Sequence, residues 1–137
     1  MSKMVIVYAS TTGNTEAMAN AIKEGAGTAD MFTAADTTPD VVSSYDVLVL
    51  GSPAMGSEVL EDSMESLFSG LEGKISGKKV ALFGSYDWGD GQWIRDWADR
   101  VTSAGATLLG TPLQIQNTPD DAGLAECRSL GKAAASS

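Results

Sequence analysis

Histidine is missing altogether from this sequence of 137 residues. With it go the commonest general base and the commonest metal ligand. Ser-His and Cys-His nucleophile pairs are excluded outright. The only cysteine is Cys127, so no internal disulfide can form. Positive charge is scarce: 9 Lys and Arg face 18 Asp and Glu, a net charge of −9. Such a chain is a poor partner for nucleic acid or an anionic membrane surface and a good one for basic protein surfaces. No apolar run approaches the ~20 residues a spanning helix needs. The N-terminus has no signal-peptide layout, because Met4–Ala9 is too short and reads as a strand. The expectation is a soluble cytoplasmic protein whose redox or group-transfer chemistry, if any, is carried by a bound cofactor.

What is present is an alternation of apolar runs and helical patterns. The first strand spans about Met4–Tyr8 and the first helix about Asn14–Glu24, stopped by Gly25-Ala26-Gly27. A short second strand follows at Ala29–Thr33, and a third at Asp46–Leu50, apolar on both faces. The second helix carries Leu60, Met64, Leu67, Phe68 and Leu71, with Glu58 at its start. The fourth strand is Val80–Phe83, ending at Gly84. The third helix carries Trp93, Ile94, Trp97, Ala98 and Val101 and ends near Ala104-Gly105. The fifth strand is Thr107–Leu109, with a continuation at Leu113–Ile115 after Gly110-Thr111-Pro112. The fourth helix is Asp121–Ala135. Strands that are apolar throughout are buried on both faces, which predicts a parallel sheet between helical layers. Five βα units predict one doubly wound, three-layer α/β domain over 1–137, with an ordinary apolar fraction of 43%.

In such sheets ligands bind beyond the carboxyl ends of the strands. The loops there are Ser10–Thr15, Gly51–Glu58 and Gly84–Gly91, the chain's richest stretches in Gly, Ser, Thr and aromatics. Ser10-Thr11-Thr12-Gly13-Asn14-Thr15 joins a strand to a helix and contains no Lys or Arg. It serves either as a hydroxyl-rich N-cap or as a neutral anion site in which backbone N–H groups and the helix dipole converge. GxxxxGK[ST] and GxGxxG are both absent, so a monophosphate suits it better than a pyrophosphate. In the second loop Met55 suits a flat ring, Gly56 tolerates positive φ, and Glu58 either caps the helix or contacts a ligand. In the third, Trp88 lies among Gly, Asp and Tyr86 and suits stacking on a planar heterocycle. Trp93 and Trp97 sit on the helical apolar stripe and read as core. Tyr86 fits core or site. Cys127 falls on an apolar stripe with Leu124, Leu130 and Ala134 and reads as a buried small hydrophobe rather than a redox group.

With those three loops in that order, the chain resembles the short-chain flavodoxins along essentially its whole length. The motifs are Ser10–Thr15, then Gly51-Ser52-Pro53-Ala54-Met55-Gly56-Ser57-Glu58-Val59-Leu60-Glu61-Asp62, then Phe83-Gly84-Ser85-Tyr86-Asp87-Trp88-Gly89-Asp90-Gly91. The resemblance implies a flavodoxin-like sheet of strand order 2-1-3-4-5, noncovalent FMN, and one-electron transfer between redox proteins rather than enzyme catalysis. It implies that Ser10, Thr11, Thr12, Asn14 and Thr15 hold the FMN phosphate. Met55 and Trp88 would flank the ring, and Glu58 would accept from ring N3–H. The Met55–Gly56 peptide would turn its carbonyl to ring N5–H after one-electron reduction. Ser52, Pro53, Ala54, Ser85, Tyr86, Asp87 and the backbone of Gly89 complete the implied cofactor contacts. Two departures stand out: Thr11 and Asp87 occupy positions where the family often has Gly. No long insertion interrupts the fifth strand, as the short-chain type requires.

Glu58, Glu61, Asp62, Asp87 and Asp90 lie in or beside the ring loops, and no Lys or Arg does. Negative charge and aromatic walls disfavour an anionic reduced ring and lower the second one-electron potential, which separates the two steps. The resemblance thus points to a low-potential carrier, a monomer whose partners are reductases and oxidoreductases with basic docking surfaces. The alternatives are an FMN-dependent quinone or flavin reductase of the same fold, which needs a hydride-donor site, and a signalling receiver domain, which needs acids after the first strand where Ala9 and Ser10 stand.

Overall fold

A computed structural model describes residues 3–10, 13–55, 59–86, 89 and 91–137. Its elements are β1 (Met4–Tyr8), α1 (Asn14–Ala26), β2 (Asp30–Thr33), the one-turn α2 (Pro39–Val42), β3 (Val47–Gly51), α3 (Asp62–Leu71), β4 (Lys79–Tyr86), α4 (Gln92–Ser103), β5 (Thr107–Leu108), β6 (Leu113–Gln116) and α5 (Asp121–Ala135). All strand pairings are parallel, in the order β2-β1-β3-β4-β5, with β6 also on β4. This is the expected doubly wound architecture and strand order.

Successive residues of each strand feed opposite faces, as the pleat requires. Val5, Val7, Leu48, Leu50, Val80 and Leu82 pack under α3 and α4 against Met64, Phe68, Trp93 and Trp97. Met4, Ile6, Val47, Val49, Ala81 and Phe83 pack under α1 and α5 against Met18, Ile22, Cys127 and Ala134. Both Trp93 and Trp97 are core, and Cys127 is a fully buried apolar filler. Burial pushes its thiol up to about 11, which keeps it unreactive.

On this second face the two helices approach backbone to backbone. A Cβ on Gly131 would collide with the Ile22 carbonyl oxygen, and one on Gly25 with the Arg128 carbonyl oxygen. Only glycine fits at either place. That contact explains why Gly25 lies inside α1, which runs two residues beyond the expected Glu24 and stops at Gly27 with φ 82°.

Three other boundaries differ from expectation. β4 extends to Tyr86 because Phe83–Tyr86 pair with Leu113–Gln116 of β6. The fifth strand is two pieces on one edge of β4: Thr107–Leu108 pair with Lys79–Val80, and the chain leaves the ladder at Gly110 (φ 64°) before β6. The second helix begins at Asp62, where Glu61 is the N-cap and accepts the Ser63 N–H at 3.0 Å. The cap therefore lies three residues after Glu58, which is itself outside the described residues. The turn at Ala34–Asp36 and α2 were not expected, although Thr38 caps Val41 N–H with Pro39 at the first helical position. Among the described residues no helix is long and apolar enough to cross a membrane.

Candidate functional site

The three loops meet at one end of the sheet because β1, β3 and β4 are adjacent and parallel, so their carboxyl ends lie side by side. Between β1 and β3 the strand order reverses direction, which opens a crevice there.

In the first loop Ser10 follows Ala9, whose N–H donates to the Gly51 carbonyl at 3.0 Å. The Ser10 Oγ accepts the N–H of Gly13 at 3.1 Å and of Glu16 at 3.4 Å. Gly13 is the N-cap of α1 in a left-handed conformation, φ 92°, without a side-chain cap bond. The start of this 13-residue helix thus presents N–H groups and its positive dipole end beside Ser10, Asn14 and Thr15. Thr15 is buried, with its Oγ1 2.7 Å from Ser85 Oγ, so the first loop is tied to the third. Thr11 and Thr12 lie outside the described residues.

A cleft of about 480 Å³ opens beside this loop, lined by Tyr8, Ser10, Gly13, Glu16, Thr33 and Glu61 among others. The Tyr8 hydroxyl donates to Glu16 at 3.1 Å. Burial, then the Glu16 hydrogen bond and charge, push the Tyr8 phenol above its ordinary value, so it stays a neutral donor.

In the second loop Ser52 and Pro53 are buried, while Ala54 and Met55 are partly exposed. Ser52 N–H donates to the Phe83 carbonyl at 3.2 Å and Ala54 N–H to the Ser85 carbonyl at 2.9 Å, which carries sheet-like pairing past the end of β3. Met55 N–H donates to the Val59 carbonyl at 2.9 Å, an isolated antiparallel bridge that closes the loop on itself. Gly56 and Glu58 fall outside the described residues. In the third loop Ser85 is buried, Tyr86 is half-buried and Gly89 is exposed with φ 92°. Asp87 and Trp88 fall outside the described residues.

Asn117 was not singled out in the sequence, Trp93 was read only as core, and Glu61 only as a nearby charge; all three join this site. Asn117 follows β6 and donates its N–H to the Tyr86 carbonyl at 2.7 Å. Its φ of 60° is the one positive value at a non-glycine among the described residues. Held strain of this kind concentrates at functional sites. Asn117-Thr118-Pro119 carried a turn signal, but nothing in it told which strand end the turn would meet. Glu61 anchors the second loop through its N–H to Ser52 Oγ at 3.0 Å. Trp93 donates its indole N–H to the Ser52 carbonyl at 3.2 Å. Among the described residues no group of His, Cys, Asp and Glu could hold a metal ion.

Known proteins match this arrangement closely. A family model for flavodoxin matches residues 6–131. The chain is 50% identical over 135 residues to the flavodoxin of Megasphaera elsdenii, covering 95% of this chain and 96% of that one. It is 46% identical over 134 residues to the flavodoxin of Clostridium beijerinckii, covering 94% and 96%. The solution structure of two-electron reduced Megasphaera elsdenii flavodoxin superposes with a TM-score of 0.88, over 98% of this chain and 99% of that one, at 48% identity. A flavodoxin from the domain Archaea superposes equally well, TM-score 0.88, at 31% identity over 98% and 96%. Strand order, loop motifs and whole-length identity agree: the chain belongs to the flavodoxin family.

Proposed function

We propose that residues 1–137 of this electron-transfer protein form one unit that holds FMN at the carboxyl end of its sheet. Ser10, Thr11, Thr12, Asn14 and Thr15 take the phosphate. Met55 and Trp88 flank the ring, Glu58 accepts from its N3–H, and Ser52, Pro53, Ala54, Gly56, Ser85, Tyr86, Asp87 and Gly89 supply the remaining contacts. One observation carries the reading. The N-terminus of α1, with Gly13 in a left-handed turn and Ser10 already bonded to two N–H groups, is a neutral donor cradle aimed at the switch point of the sheet. Its hydroxyl and N–H donors fit a phosphate monoester without a cation.

FMN supplies two separable one-electron steps; the protein supplies position and field. Ser52 and Ser85 keep the two ring loops in register through backbone bonds from Ser52 and Ala54 to β4. Glu61 and Asp62 at the start of α3 add negative charge near the second loop, which opposes accumulation of an anion there. These acids favour partners with basic docking faces. The protein works as a cytoplasmic monomer and exchanges electrons with reductases and oxidoreductases.

The experiment is a titration of apo-protein with FMN and with riboflavin, followed by flavin fluorescence. FMN should bind far more tightly, because only it presents a phosphate to Ser10–Thr15. Equal affinity for the two would overturn the anchor.

A further inference from the structure

We infer that Trp93 is a positioning residue for the flavin site, holding the second loop against the third from behind. The inference rests on the flavin reading above and extends it to a residue with no place in the ring or phosphate loops.

Ser52 is fully buried, and its polar groups are all engaged. Its N–H goes to Phe83, its Oγ donates to the Pro53 carbonyl and accepts from Glu61 N–H, and its carbonyl accepts the Trp93 indole N–H at 3.2 Å. That carbonyl is the last backbone group before Pro53-Ala54-Met55, the segment proposed to reach the ring. The same indole packs on Tyr86, ring centroids 5.5 Å apart and planes 46° apart. Tyr86 is the residue from which the third loop departs. Trp93 therefore touches the root of both ring loops at once.

Gly84 makes this reach possible. A Cβ there would run into the Ser52 carbonyl oxygen and sit 2.9 Å from Trp93 Cζ2. The tryptophan passes over a bare strand to find its acceptor. Packing alone does not require the hydrogen bond. Trp97 lies one turn further along α4 with the same 1% exposure, and its indole N–H finds no partner among the described residues. The helix thus contains its own comparison: two equally buried indoles, one of them bonded to a loop.

Losing one buried hydrogen bond that fixes a loop corresponds to a change on the order of five-fold in an equilibrium that depends on it. The test compares Trp93→Phe with Trp97→Phe, and adds a protein whose Trp93 indole is replaced by the isosteric benzothiophene, which keeps the ring shape and removes only the donor. Three quantities are measured: urea midpoint, FMN dissociation constant, and hydrogen exchange of the Ala54 amide in the apo-protein. Both position-93 variants should bind FMN about five-fold more weakly and expose Ala54 to exchange faster by a similar factor. Trp97→Phe should lower the urea midpoint and leave the other two quantities unchanged. The inference is overturned if the benzothiophene protein keeps wild-type affinity and wild-type Ala54 protection, or if Trp97→Phe moves both as far. Failure of the flavin reading would show differently, as absent FMN binding by the unsubstituted protein; Ala54 exchange would still report on the tryptophan.

Discussion

At the scale of single residues, the demand on Gly56 is the sharpest. An unreduced flavin N5 would accept a hydrogen bond and a protonated N5 would donate one, so a peptide beside it in the proposed site would have to offer both kinds of group. Met55 N–H is already committed to Val59 at 2.9 Å. The proposed turn would fall on the Met55–Gly56 peptide, and a residue with a Cβ at position 56 adds about 1 kcal/mol or more wherever φ becomes positive. Gly56→Ala, and more so Gly56→Val, should bind FMN nearly as well as the parent while the first one-electron potential falls. Redox titration checks this, and an unchanged potential in Gly56→Val removes the peptide from the mechanism. Gly13 was legible in the same way: a glycine in a motif loop signals a backbone demand, and its φ is 92°. Trp93 was legible only as core, because its stripe spacing matches that of Trp97; which indole meets a carbonyl depends on where β3 ends relative to α4. Asn117 gave only a turn signal, since its partner Tyr86 is brought near by the pairing of β6 with β4.

At the scale of elements, α3 and α4 are joined by one guanidinium. Arg100 donates to Glu65 at 2.8 and 2.9 Å and to Glu72 at 3.0 and 3.2 Å, over the Phe68 ring at 4.9 Å. The hydrogen bonds from Arg100 hold the Glu65 carboxyl below its ordinary 4.5 against the opposing pull of burial. A depressed folded-state value means that the unfolded chain binds the proton more readily. The pairing therefore stabilises fully above the ordinary glutamate range, and the gain is lost as pH falls through the lowered value. As pH falls from above the ordinary glutamate range through the lowered value the urea midpoint should drop, and in Arg100→Met it should drop less; parallel curves for the two proteins would show that the pair does not contribute. The strands of this fold were readable because Val47–Leu50 and Val80–Phe83 are apolar on both faces, a pattern only a sandwiched sheet explains. The interhelix cluster was not, because its members are 28 and 35 positions apart and meet only after both helices rotate their apolar faces inward. The division of the last edge strand was half readable: Gly110-Thr111-Pro112 marked an interruption, and the structure shows both halves returning to β4.

At the scale of the whole molecule, the first turns of α1, α3 and α5 are acidic. Lys3 precedes β1, Lys79 opens β4, and Lys23 and Lys132 occupy the last turns of α1 and α5, at the end away from the loops. Glu16, Asp62, Glu65 and Asp121 occupy first turns, at the loop end. The proposed partner with a basic face would be drawn to the loop end. Electron transfer to such a partner should slow as salt rises from about 0.05 to about 0.5 M, over which the Debye length shrinks about threefold; stopped-flow rates that ignore salt would count against docking there. The glycine-notched seam between α1 and α5 sets a different kind of order, one of time. Ile22 and Gly131, which meet there, are separated by roughly a hundred residues of chain, so their contact carries a large loop-closure cost and forms slowly. On a ribosome adding about 5–20 residues per second, about 5–20 s pass between synthesis of the α1 segment and of the α5 segment that covers it. The proposed phosphate site belongs to a helix whose inner face is covered only after the α5 segment has been made.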